Sequence, residues 1–171
     1  MKLTEFLTPD RIRQGVLVSS KKRVLELAGK IIAESLNKTN PSSEEDCVCP
    51  IECFSNLFKR EKLGSTSINN GIALPHAKFP YSTSEIEKPI AAFIQLETPI
   101  DYEASDNKEV DLIYAIMIPE NCCEQYKNGL QEIAYKLSDK TLAKQLRSAD
   151  NIEDIWQLLV YADTHIESQV S

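Results

Sequence analysis

Apolar residues recur at helical spacing after Ser20, where Val24, Leu27, Ala28, Ile31 and Leu36 are separated by Lys, Glu and Ser. Such a stripe is what an amphipathic helix buries. Ser20 suits its N-cap, because a hydroxyl can accept from an unpaired first-turn N–H. Residues 37–46 (NKTNPSSEED) are polar and read as the connection to a second helix. That helix opens at Pro50, since proline is tolerated in a first turn. It closes at Gly64, a residue suited to the position just past a helix end. Ile51, Phe54, Leu57 and Phe58 are its predicted apolar stripe.

Periodicity then changes. Residues 72–74 form a short apolar strand, and residues 90–96 (IAAFIQL) and 110–118 (VDLIYAIMI) have the length and proline flanks of buried strands. Helical spacing returns with Leu130, Ile133, Ala134 and Leu137, and again with Leu142, Ala143 and Leu146. Asp150 with Glu153 resembles a capping box ahead of Ile152, Ile155, Trp156, Leu159 and Val160. Helices, then strands, then helices predict an α/β (α+β) domain with a mixed β-sheet flanked by helices on both faces. The whole chain, 1–171, reads as one domain with its core over about residues 3–162.

Composition narrows the function. The net charge of −7 excludes the basic footprint that nucleic-acid binding needs. No apolar run approaches the roughly 20 residues of a membrane span, and Asp10 and Arg11 interrupt the N-terminus before a signal-peptide core could form. A cytoplasmic protein is the expectation. The five cysteines are Cys47, Cys49, Cys53, Cys122 and Cys123. Their odd number makes a poor disulfide framework, and CVCPIEC lacks the Cys-x-x-Cys spacing of a zinc knuckle. Reduced thiols and no metal are expected.

The segment with unusual chemistry is residues 60–78, REKLGSTSINNGIALPHAK. Its loop, residues 64–71, is rich in Gly, Ser, Thr and Asn, whose N–H groups and hydroxyls can bind an anion such as phosphate. Arg60, Lys62 and Lys78 offer positive charge nearby, although no Walker pattern is present. His76 follows the short strand behind Pro75. A neutral imidazole can take up a phosphoryl group without metal or cofactor. A half-buried, hydrogen-bonded strand-end histidine is the ordinary alternative. His165 reads as a helix-end residue interacting with the helix dipole.

NGIALPHA at residues 70–77 resembles the signature of the type-2 enzyme IIA proteins of the bacterial phosphoenolpyruvate-dependent phosphotransferase system. SKKR at 20–23, REKLGSTS at 60–67, FIQLETPI at 93–100, DNKEVDL at 106–112 and LSDKTL at 137–142 resemble its nitrogen-regulatory branch. The resemblance implies a phosphocarrier that needs no cofactor. His76 would accept a phosphoryl group from an HPr-like phosphocarrier protein, reacting through Nε2 while an acceptor holds Nδ1–H. Arg60 would contact the phosphoryl oxygens, with Ser65 and Thr66 as further donors. Many members of the family have a second histidine at the position of Tyr126, whose phenol can donate a hydrogen bond but cannot carry imidazolium charge. Lys127 could offset that loss. Implied partners are regulated target proteins, among them a potassium transporter or a sensor kinase. The alternatives are a fructose- or mannitol-specific IIA that passes phosphate to a IIB domain, and a docking module that is never phosphorylated.

Overall fold

The computed structural model describes residues 1–39, 48–80, 86–120 and 123–166. Strand β1 (Ile12–Val16) is followed by helices α1 (Lys21–Thr39) and α2 (Pro50–Lys62). Two short strands, β2 (Ile72–Ala73) and β3 (His76–Lys78), precede the long strands β4 (Ile90–Ile100) and β5 (Val110–Ile118). Helices α3 (Cys123–Leu137), α4 (Lys140–Ser148) and α5 (Ile152–His165) complete the chain. Among the described residues no helix is long and apolar enough to cross a membrane.

The sheet runs β1–β4–β5–β2, and β3 also pairs with β5. Strands β4 and β5 are antiparallel, whereas the β1–β4, β2–β5 and β3–β5 pairs are parallel, so the sheet is mixed. Alternation along β5 sends Val110, Ile113, Ala115 and Met117 to one face, where α1 and α2 cover them. Leu112, Tyr114, Ile116 and Ile118 face the opposite core with the N-terminal segment, α3, α4 and α5. Helices on both faces are what the order of predicted elements requires.

Local signals account for most element ends. Ser20 Oγ accepts from Arg23 N–H at 3.2 Å, as the N-cap of α1. Pro50 opens α2, and Gly64, at φ +151°, follows the Leu63 cap. The cap of α5 lies one residue later than predicted. Asn151, not Asp150, accepts from Asp154 N–H, because its extended backbone points the side chain back at the first turn. Residues 37–39 of the predicted connection belong to α1, and the rest of it lies outside the described residues, as do Cys47 and Cys122. Ile51 is 75% exposed and leaves the predicted stripe, whereas Leu57 is buried beside Cys53 and Glu61, and Phe54 and Phe58 pack against the same core. Strand β4 continues to Ile100, past an irregularity in its pairing after Gln95.

Two features fix α2 over the sheet. Gly29 of α1 meets the α2 backbone so closely that a Cβ would lie 2.9 Å from Phe54 N. Asn56 Nδ2 donates to Lys78 O at 2.8 Å and ties α2 to β3. Overpacking of this kind costs about 1–3 kcal/mol. Gly29→Val is therefore expected to lower the stability measured by denaturant unfolding by that amount. Gly29→Ala should cost less, since alanine regains about 1 kcal/mol of helix propensity.

Candidate functional site

The pairing partner of β2 and β3 is the same strand, so together they form one flank of the sheet with a break between them. Ile72 and Ala73 pair with Leu112 and Ile113, and pairing resumes with His76 opposite Ile116. Leu74 and Pro75 span the gap, and Pro75 O accepts from Ile116 N–H at 3.0 Å. Proline has no N–H to give a ladder, so its place at the break follows from its chemistry. The break turns the Leu74 carbonyl to His76 Nδ1, 2.8 Å away. A carbonyl can only accept, so Nδ1 carries the proton and Nε2 keeps its lone pair.

The His76 ring is half-buried and lines a cavity of about 550 Å³. Helix α2 contributes Asn56, Lys59 and Arg60 to its wall, and its cap adds Leu63. Strand β3 adds Ala77 and Lys78, β5 ends there at Ile118, and α3 supplies Lys127 and Leu130. Four cationic side chains thus surround one imidazole in a protein whose net charge is −7. Arg60 donates Nη1–H to Gly64 O at 2.9 Å, which holds the guanidinium against the end of its own helix. Burial lowers the pKa of His76, and the Arg60 charge lowers it further. The Leu74 hydrogen bond and the Glu61 carboxylate act the other way. The result favours the neutral ring with a nucleophilic Nε2.

The loop after α2 does not open onto this cavity. Its donors are turned to the protein's own carboxylates. Thr66 gives both its N–H and its hydroxyl to Glu61, at 2.8 and 2.6 Å, and Asn70 N–H donates to Asp106 at 2.9 Å. Ser65 Oγ accepts from Ser67 N–H at 3.2 Å. The predicted anion-binding character is real, but its anions are Glu61 and Asp106. Ser65 and Thr66 therefore do not line the cavity, and Thr66 is buried. Tyr126 packs its ring edge-on against Phe6, with centroids 5.5 Å apart, and does not line the cavity. Lys62 is likewise outside it, over the Phe58 ring at 4.8 Å.

Lys59, Asn56 and Glu61 escaped sequence reasoning. The available signal was spacing: Asn56, Lys59, Arg60 and Leu63 fall at i, i+3, i+4 and i+7 and share one helix face. The rest of CVCPIEC is undramatic. Cys49 is the N-cap residue of α2, and burial pushes the Cys53 thiol up to about 12. Among the described residues no cluster of three or more His, Cys, Asp or Glu could hold a metal ion. His165 closes α5 and stacks on Tyr161 at 3.8 Å.

A titration of the His76 ring by NMR should give a midpoint below the ordinary value of about 6.5. Arg60→Met should raise that midpoint, because it removes the cation that opposes protonation. The folded ring binds its proton less readily than the unfolded one, so its share of stability is complete above the unfolded value. That share is lost as pH falls from there towards the folded value.

Residues 5–161 match the family model for the phosphoenolpyruvate-dependent sugar phosphotransferase system, EIIA 2. A nitrogen regulatory protein homolog of Haemophilus influenzae is 47% identical over 163 residues, covering 95% of this chain and 93% of that protein. The nitrogen regulatory protein of Escherichia coli K12 is 35% identical, over 93% of this chain and 90% of its own length. The crystal structure of nitrogen regulatory protein IIA-Ntr from Neisseria meningitidis superposes with a TM-score of 0.77. It is 30% identical, and the match covers 92% of this chain and 98% of that one.

Proposed function

The chain belongs to the type-2 EIIA family of the phosphoenolpyruvate-dependent phosphotransferase system, in its nitrogen-regulatory branch, and we propose that His76 is its phosphoryl acceptor. The observation that carries this reading is an imidazole, held through Nδ1, lining a recess with four cations. In the transfer, the Nε2 lone pair forms the new N–P bond while the N–P bond of an HPr-like phosphohistidine donor breaks. The donor ring keeps the electron pair of the broken bond. Positive charge that develops on the His76 ring is met at Nδ1–H by the Leu74 carbonyl. Phosphoryl transfer asks a protein mainly for positioning and charge stabilisation. Arg60 is suited to the phosphoryl oxygens, since a guanidinium can hold two at once. Lys59, Lys78 and Lys127 supply the remaining positive potential.

Tyr126 has no part in this proposal, because its ring belongs to the contact with Phe6. The adjacent Lys127 takes over the positive charge that the resemblance assigns to a second histidine. Phosphorylation adds about two negative charges to a cationic recess, enough to make or break a protein interface. The regulatory output of this cytoplasmic protein is therefore the choice of partner in each state. The targets would be transporters or sensor kinases that read the charge of the recess. Similarity to nitrogen regulatory proteins along nearly the whole chain favours this role over sugar uptake.

Incubation with phosphoenolpyruvate, an enzyme I-like kinase and an HPr-like donor should add one phosphoryl group, seen by intact mass as an acid-labile, base-stable modification. His76→Ala should abolish it. Arg60→Met should slow it by about 10²-fold, the scale expected when one charge-stabilising donor is removed. Absence of modification with an active donor would refute the acceptor assignment.

A further inference from the structure

Glu61 is a buried carboxylate that the transfer does not touch. It follows Arg60 on α2, and its side chain is 2% exposed. Oε1 accepts from Lys21 Nζ at 3.0 Å and from Thr66 N–H at 2.8 Å. Oε2 accepts from the Thr66 hydroxyl at 2.6 Å and from the Tyr102 hydroxyl at 3.3 Å. The Lys21 ammonium also stands 4.7 Å over the Tyr102 ring. A carboxylate has about four lone-pair sites, and this one uses all of them. Four donors from α1, the post-α2 loop and the segment after β4 thus converge on one group.

What the carboxylate grips most firmly is Thr66, at two atoms. Thr66 O in turn accepts from Leu74 N–H at 2.9 Å, and Leu74 O accepts from His76 Nδ1. Each link is a short hydrogen bond between groups that are themselves buried or half-buried. The path therefore runs from Glu61 through Thr66 and Leu74 to the imidazole. We infer that Glu61 is a positioning residue for His76: by clamping Thr66 it fixes the carbonyl that holds the Nδ1 proton, and so keeps Nε2 free and aimed for transfer. The inference rests on His76 being the phosphoryl acceptor.

Electrostatics works in the same direction. The charged groups that line the cavity with the ring are Lys59 and Arg60 from α2, Lys78 from β3 and Lys127 from α3, and the Glu61 carboxylate is within electrostatic reach. Among the influences on His76, Arg60 disfavours its protonation and Glu61 favours it. The Glu61 carboxylate therefore offsets part of the cationic field at the moment positive charge develops on the imidazole.

The test uses the full chain and two readouts. In wild type, ¹⁵N NMR of the imidazole at alkaline pH should show Nε2 unprotonated. In Glu61→Ala the Nε2–H tautomer should gain population, and phosphorylation by the HPr-like donor should slow about tenfold, the usual scale for loss of a supporting hydrogen-bond partner. Glu61→Gln should restore the tautomer ratio, because its amide oxygen can still accept from Thr66 N–H, with a rate between those of Glu61→Ala and wild type because the charge is gone. If Glu61→Ala does not fold, Thr66→Val removes one of the two clamping bonds and should shift both readouts the same way, by about threefold, the scale of a single hydrogen bond. A bare structural brace would lower the melting temperature and leave the tautomer untouched. Folded variants with the wild-type tautomer ratio and rate would overturn the inference. Should wild-type His76 take no phosphoryl group, the acceptor reading fails, and the tautomer ratio alone decides whether Glu61 positions the ring.

Discussion

An imidazole has two nitrogens of similar basicity, and the hydrogen bond from Nδ1 of His76 to the Leu74 carbonyl decides which of them keeps its lone pair. That carbonyl is available only because pairing along β5 lapses between Ala73 and His76. Pro75 sits in the lapse, where a residue without an N–H loses nothing. The flank of the sheet is thus interrupted at the place where a side chain needs a backbone acceptor. The rest of the site follows from what surrounds the interruption: α2 tied to β3 by Asn56, and α3 arriving after the end of β5.

Charge is distributed with the same economy. The molecule carries a net charge of −7, yet the recess around His76 is walled by lysines and an arginine. An acidic exterior disfavours anions at large, while the local field of the recess favours a negatively charged group. The carboxylates nearest the loop are bound by N–H groups, hydroxyls and Lys21 rather than by the cations of the cavity, although the Glu61 charge still reaches the ring. Glu61 and Arg60 are adjacent in sequence but project to opposite tasks, one inward to the loop and one to the recess.

Much of this was legible before any coordinates. The two long strands, the caps at Ser20 and Gly64 and the helices on both faces follow from periodicity and from residues with single physical uses. His76 stood out through its placement behind Pro75 and through family resemblance. Strand β1 was missed because IRQGV has too few apolar residues and a glycine at φ +65° where its pairing shifts. Strand β3 was missed because three residues carry no periodicity. The loop after α2 was misjudged for a subtler reason. Composition shows that a segment can bind an anion, but which anion occupies it depends on tertiary neighbours. Tyr126 posed the same problem, since only the packed structure sets its ring against Phe6.

The outer strands of the sheet bear on how other proteins can approach it. On one side β1 is kinked at Gly15, whose N–H is taken by the Gln95 side chain at 3.0 Å. On the other, the Leu74–Pro75 step interrupts the row of donors and acceptors. Neither margin offers an unbroken template on which a foreign strand could be added. Such breaks weigh against recognition by strand addition. Side chains are then the more accessible features to read, and contacts of that kind can be released as readily as a charge is gained or lost.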